Sequence, residues 1–337
     1  MEQLIEASVA TTRWLQENYP QLEGFMLLLA VFGRFEFYLV IIPLIYWCID
    51  KKNGKYLAYL MSVSLVLNSF FKHALRGPRP YWFDASLSPT SEPYYGVPSG
   101  HSQGAMVFYL YIAYWLRRGW VWQLCLFMIF LMGLSRIYLG VHYLHDVIIG
   151  YLLGFSVFAG FLIWKRYFHE RYRNRILGQR LLIVFIVPLV FGLLYFIMRQ
   201  LTGAAEPASE LDPFVEVAEL ASLKDMATAL GSMAGLGVGF VLEASRVYFL
   251  VAGSVGKRLL RFLFGIAITL LLWRGLGLLF DVEPLWLAIP LRMLRFFIAG
   301  LWVSYYAPYF FIRLRLADAG EGPEAELSVS SGSIMRG

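Results

Sequence analysis

The chain is expected to fold as an all-α, polytopic transmembrane helical bundle, and three observations lead there. Its 337 residues are 59% hydrophobic and only 15% charged, with a mean hydropathy of +0.60, whereas soluble domains carry about 25% charge. Apolar runs of the roughly 18 residues that suggest a membrane span recur along nearly the whole chain. Basic residues gather at every second connection between those runs, the asymmetry expected of cytoplasmic loops.

Taken in order, residues 1–20 are amphipathic, carry acids and end at Pro20. They predict an interfacial helix and no cleavable signal. Nine spans are expected at about 24–49, 55–76, 101–116, 119–139, 143–164, 180–199, 227–250, 258–280 and 286–312. The first five lie in a core of residues 21–179, and residues 180–316 add the remaining four. The tail 317–337 is rich in Gly, Glu and Ser, a composition that predicts disorder.

Loop charge orients the bundle. Lys51, Lys52 and Lys55, the pair Arg117-Arg118, six Lys or Arg in 165–180, Lys257 with Arg258 and Arg261, and Arg313 with Arg315 all fall on one side. That side is cytoplasmic by the positive-inside rule. The 201–225 loop opposes them with six acids (Glu206, Glu210, Asp212, Glu216, Glu219, Asp225) against Lys224. Nine spans then put the N-terminus outside, the C-terminus in the cytoplasm and the charged segments described next on the extracytoplasmic side. The net charge of +6 comes largely from loops, so no nucleic acid is expected as a partner. The bilayer is an expected partner, and a homo-oligomer is left open. Cys48 and Cys125 sit in apolar segments, where a disulfide framework is not expected. No metal-ligand spacing occurs, and no cofactor is expected.

The remaining charge is concentrated in three short segments: Lys72 through Arg79-Pro80, Pro98-Ser99-Gly100-His101, and Ser135-Arg136 through His142 to Asp146. His142 and Asp146, four apart at a helix start, share a face. The carboxylate can then fix one ring N–H and leave the other nitrogen free to attack. The same spacing also suits a plain structural pair. Lys72, Arg79 and Arg136 are cations at the edge of hydrocarbon, and each by itself could simply snorkel to the headgroups. Ser99 can cap the third span, whose free N–H groups and Gly100 can cradle a phosphate. His101 adds a group able to protonate a departing alkoxide. His73 and His145 read as structural, with His145 pointing away from Asp146. Arg34 and Glu36 could pair or approach the site, and Glu243 with Arg246 suits a local helix pair.

The combined pattern resembles the three-part signature of the type 2 phosphatidic-acid phosphatase and vanadium haloperoxidase superfamily, with every signature position filled between residues 72 and 146. The resemblance covers 55–165 and says little about 180–337. It implies a six-helix-type core in which His142 is the nucleophile that forms a phosphohistidine, Asp146 its orienting carboxylate and His101 the general acid. Lys72, Arg79, Ser99, the Gly100 amide and Arg136 would hold the phosphate, without a metal.

A site fed from the bilayer favours a phosphorylated lipid as partner: phosphatidate, lysophosphatidate, sphingoid phosphates or polyprenyl diphosphates. The runs at 94–97, 136–140 and 46–50 look more like the sphingosine-phosphate-phosphatase branch. The nine-span layout is similar to glucose-6-phosphatase, whose substrate is soluble. A phosphotransferase, a haloperoxidase and a lipid transporter are the other classes considered.

Overall fold

The computed structural model describes residues 2–203, 212–280 and 282–320. Among them the chain is helical, without a β-strand. The elements are α1 (Glu2–Asn18), α2 (Glu23–Val31), α3 (Phe35–Leu44), α4 (Lys51–Leu75), α5 (Pro80–Phe83), α6 (Gly100–Leu116), α7 (Gly119–Tyr138), α8 (Leu144–Tyr167), α9 (His169–Arg173), α10 (Leu177–Thr202), α11 (Asp212–Arg246), α12 (Val255–Phe280), α13 (Leu285–Leu301) and α14 (Ala307–Arg313).

Helices stand at all nine expected places, but the count of nine spans is not established. Among the described residues six helical stretches are long and apolar enough to cross a membrane: α7, α8, α10, α11, α12 and the run from Leu285 to Arg313. The pair α2–α3 makes a seventh only as a bent span, turning by 52° at its break. The two helices that fall short are α4 and α6. The lysines and Asn68 of α4, and the polar start of α6 at His101, Ser102 and Gln103, dilute the very segments that carry the charged motifs.

Three further expectations change. The acidic stretch expected as a loop to residue 225 is helical from Asp212, so α11 runs 35 residues. At about 1.5 Å per residue that is longer than the hydrocarbon is thick. Its Val215, Ala218 and Ser222 face the protein, and Trp82 stacks on Phe214 at 5.3 Å, which holds the helix together beyond the apolar run. Glu243 reaches Lys51 Nζ at 2.6 Å and the Phe249 amide at 2.9 Å, across the fold and not along the helix to Arg246. The tail keeps structure through residue 320, where the Leu250 amide donates to Asp318 O and the Gly320 amide to Tyr248 O. Residues 321–337 lie outside the described residues, as do Glu206 and Glu210.

The chain forms two compact units, residues 1–39, 60–170 and 189–230 in one, and 40–59, 171–188 and 231–337 in the other. In the first, α6 packs along α7 and α8, and α1 and α2 lie on α7. Gly150 and Gly154, four apart, are the small residues that let helix backbones approach in a membrane. A Cβ on Gly150 would sit 2.7 Å from the Ser99 carbonyl, and one on Gly154 2.7 Å from that of Gln103. Under the site, Met26, Leu29, Trp82, Tyr95, Tyr138 and Val141 form one buried apolar cluster. Helix α1 is tied to this unit. Its Gln16 donates to Leu87 O and Tyr138 O, and its Arg13 pairs with Asp84. In the second unit Trp47 Nε1 donates to Val303 O, and the buried Arg261 donates to four carbonyls, those of Trp47, Val251, Ala252 and Leu316.

Candidate active site

The first unit brings the three charged segments together. α8 begins just after His142, and Asp146 lies in its first turn. Asp146 Oδ2 accepts from the Tyr143 amide at 3.0 Å and lies 3.2 Å from His142 Nδ1. The other ring nitrogen, Nε2, lies 3.3 Å from Arg79 Nη1. Arginine has only donors, so Nε2 accepts and the ring proton is on Nδ1, directed at Asp146. That is the tautomer a nucleophilic Nε2 needs.

Arg79 is held at every nitrogen. Nε donates to Tyr94 O at 2.6 Å, Nη1 to Val141 O at 2.9 Å and Nη2 to Tyr95 O at 3.2 Å. Lys72 Nζ, at the C-terminal end of α4, donates to the same Tyr95 carbonyl at 2.5 Å. Arg136, from the last turn of α7, reaches Ser135 Oγ through Nε at 3.2 Å. Its Nη2 is buried with no hydrogen-bond partner among the described residues. A buried guanidinium with a spare donor is an invitation to an anion.

Ser99 caps α6, its Oγ accepting from the Ser102 amide, while its own amide donates to Asp146 O at 3.0 Å. The start of α6 is thereby pinned to the start of α8. Gly100 abuts Asn68, whose Nδ2 donates to Gln103 Oε1 at 2.9 Å. His101 follows in the first turn, its Nε2 buried and without a partner among the described residues. The break between α2 and α3 lies against it: a Cβ on Gly33 would stand 2.4 Å from His101 Cδ2. Arg34, in the same break, and Glu36 form no ion pair with each other among the described residues.

Glu92 is a feature the motifs did not announce. Its carboxylate lies 2.9 Å from Arg79 Nη2 and 3.6 Å from Arg136 Nη1, between the two guanidinium groups. Burial alone would raise its pKa, but the charges of Arg79, His101, Arg136 and Lys72 outweigh that and hold it well below the usual carboxylate range. His142 is pushed the other way from charge: burial, then Arg79, Lys72, Arg136 and His101, hold its pKa well below the ordinary histidine value. The ring is therefore neutral at pH 7.

One of the two histidines expected to be structural is placed differently from expectation. His145 does not point away from Asp146. Its Nε2 lies 3.1 Å from Oδ1, and its ring stacks on Tyr143 at 5.4 Å, both residues sitting at the start of α8 beside the carboxylate. His73 is fully buried against Glu219 of α11.

The matched families follow the same residues. The PAP2 superfamily matches residues 53–170, and the PAP2 superfamily phosphatase transmembrane extension matches residues 227–319. The undecaprenyl-diphosphatase of Sulfolobus acidocaldarius is 33% identical over 150 residues, covering 41% of this chain and 69% of that protein. The chain belongs to the PAP2 superfamily. It is an integral, multi-pass membrane protein. Glucose-6-phosphatase catalytic subunit 1 of Rattus norvegicus is 31% identical over 189 residues, 47% of this chain and 52% of the relative. The chain thus spans about half the length of the glucose-6-phosphatase relatives it matches. Phosphatidylglycerophosphatase B of Bacillus subtilis is 30% identical over 116 residues, 32% of this chain and 55% of the relative. No solved structure matches. The PAP2 segment contains every site residue expected from the motifs, together with Glu92. Glu219 lies in neither matched segment. A carboxylate nine residues ahead of His101 carries no spacing signal of its own, so only the fold could reveal it.

Proposed function

We propose that this PAP2 protein is a phosphatase that hydrolyses the phosphate ester of a lipid at the extracytoplasmic interface, through a phosphohistidine. One observation carries the reading: His142, oriented by Asp146, presents Nε2 beside Arg79 and within the field of Arg136 and Lys72. Nε2 attacks phosphorus, and the alkoxide oxygen leaves with a proton from His101. Asp146 stabilises the positive charge that forms on the ring. Water then displaces His142 from phosphorus and returns a proton to His101, which regenerates both groups. Arg79, Arg136, Lys72, Ser99 and the Gly100 amide neutralise the phosphoryl oxygens. Preorganised charge of this kind is often the largest catalytic contribution. No metal takes part in these steps.

A lipid substrate is favoured by the membrane setting of the site and by the names of two relatives, an undecaprenyl-diphosphatase and a phosphatidylglycerophosphatase. The glucose-6-phosphatase relatives keep a soluble sugar phosphate as the second reading. The outer placement of the site rests on loop charge.

The test is phosphate release by the detergent-purified chain from sphingoid phosphate, phosphatidate, polyprenyl diphosphate and glucose 6-phosphate, in EDTA. Release from a lipid, abolished in His142→Ala, is the expected result. Release from glucose 6-phosphate alone would replace the lipid reading. Activity that EDTA removes would overturn the metal-free scheme, and a phosphate ester formed on an added alcohol, with no free phosphate released, would point to phosphotransfer.

A further inference from the structure

Lys72 and Arg79 reach one site although the chain between them leaves α4 at Leu75 and turns through Arg76. The φ of Arg76 is +47°, in the left-handed region. A residue with a long side chain persists there only when its surroundings hold it. One carboxylate of α11 supplies the hold. Glu219 Oε1 lies 2.8 Å from Arg76 Nε and accepts from Tyr95 Oη at 2.8 Å, while Oε2 lies 3.4 Å from His73 Nδ1. Arg76 Nη2 lies 3.3 Å from His73 Nε2 and donates to Gly203 O at 2.7 Å. Because an arginine can only donate, His73 Nε2 accepts and the ring proton is on Nδ1. Neither Nδ1 nor Arg76 Nε makes a hydrogen bond among the described residues. Glu219 therefore meets these two by proximity and charge, and among the described residues it bonds only to Tyr95.

Tyr95 carries this network to the phosphate side. Its hydroxyl is held by Glu219, and its carbonyl receives both Lys72 Nζ and Arg79 Nη2. Glu219 therefore meets the Lys72–Arg79 segment twice, through His73 and Arg76 inside it and through Tyr95 beside its two cations.

We propose that Glu219 is a positioning residue for phosphate binding: by accepting the Tyr95 hydroxyl and lying against Arg76 and His73 it sets Lys72 and Arg79 at the distance one phosphate requires. This inference rests on the phosphatase reading above. It also gives the stretch between the two matched segments, residues 171–226, a part in the site, since Glu219 lies there.

The experiment compares the full chain with Glu219→Gln and Tyr95→Phe, measuring kcat, KM, vanadate inhibition and the melting temperature with and without vanadate. Glu219→Gln keeps the size of the side chain and removes its charge. KM and the vanadate inhibition constant should rise about tenfold, with kcat changed by less than about threefold. Tyr95→Phe removes a single hydroxyl, so it should shift the same two constants in the same direction by a smaller factor and without unfolding. It decides the matter if Glu219→Gln fails to fold. Unchanged KM and vanadate inhibition in a folded variant, or a lower melting temperature as the only effect, would overturn the positioning role and leave the phosphatase reading standing. A wild-type chain that neither releases phosphate nor is stabilised by vanadate would overturn both.

Discussion

His142 shows how single residues acquire a chemical role from their neighbours. Its imidazole pKa is held well below the ordinary value by burial and by surrounding cations. The unfolded chain, with a pKa of about 6.5, binds this proton more readily, so the associated stability is complete above about pH 6.5 and is lost as pH falls toward the native value. The His142 ring should accordingly remain neutral in mild acid. With an aryl phosphate, whose leaving group needs no acid, kcat/KM should show no His142 inflection at about pH 6.5. An inflection there would mean that the ring is less shielded than its contacts imply. Replacing His142 with Ala should lower phosphate release by about a thousandfold or more while the melting temperature barely moves. Glu92 offers a test of the opposite sign. It already occupies the space between Arg79 and Arg136 as an internal anion. Glu92→Gln should strengthen vanadate inhibition by about tenfold, the worth of roughly one pKa unit of charge interaction. Weaker inhibition would show that the carboxylate supports the arginines more than it competes for them.

At the scale of elements, the site depends on how closely α8 lies against α6. The Ser99 amide is bonded to the Asp146 carbonyl, and Gly150 sits one turn further along, under the Ser99 carbonyl. A side chain at 150 would separate the helix that carries Asp146 from the helix that carries His101. Gly150→Val should therefore cost about 1–3 kcal/mol in stability and lower kcat/KM as well. Gly160, on the same helix, has nothing within 4 Å of a built Cβ. Gly160→Ala should leave activity alone and gain up to about 1 kcal/mol from helix propensity. Similar losses at both positions would mean that the close approach is not what matters. The break between α2 and α3 belongs to the same scale, because Gly33 leaves room for the His101 ring where any side chain would push it aside.

For the whole molecule, the distribution of Lys and Arg predicts which loops face the cytoplasm. Ser91 and Arg173 are both exposed and lie in connections assigned to opposite sides. Ser91→Cys should react with an impermeant thiol reagent added outside intact cells, and Arg173→Cys only after permeabilisation. The native Cys48 and Cys125 are buried and should contribute little background. The reverse labelling pattern would place the candidate site in the cytoplasm.

The sequence by itself determined the all-α membrane architecture, because hydrocarbon allows a spanning helix little but apolar residues and that demand is written locally. It also determined the family, since Lys72, Arg79, the Pro98–His101 run, Arg136, His142 and Asp146 stand at spacings readable without coordinates. The number of spans was less legible: α4 and α6 are nearly enclosed by the rest of the protein and carry polar site residues, and α6 has only 17 residues. The tertiary structure alone decided what lies beside what. Glu92 enters between two arginines, His145 turns back to Asp146, and Glu219 reaches His73 and Arg76 from a helix more than a hundred residues away. Such contacts leave no periodic trace along the chain. They depend on where helices cross, and that is settled by packing.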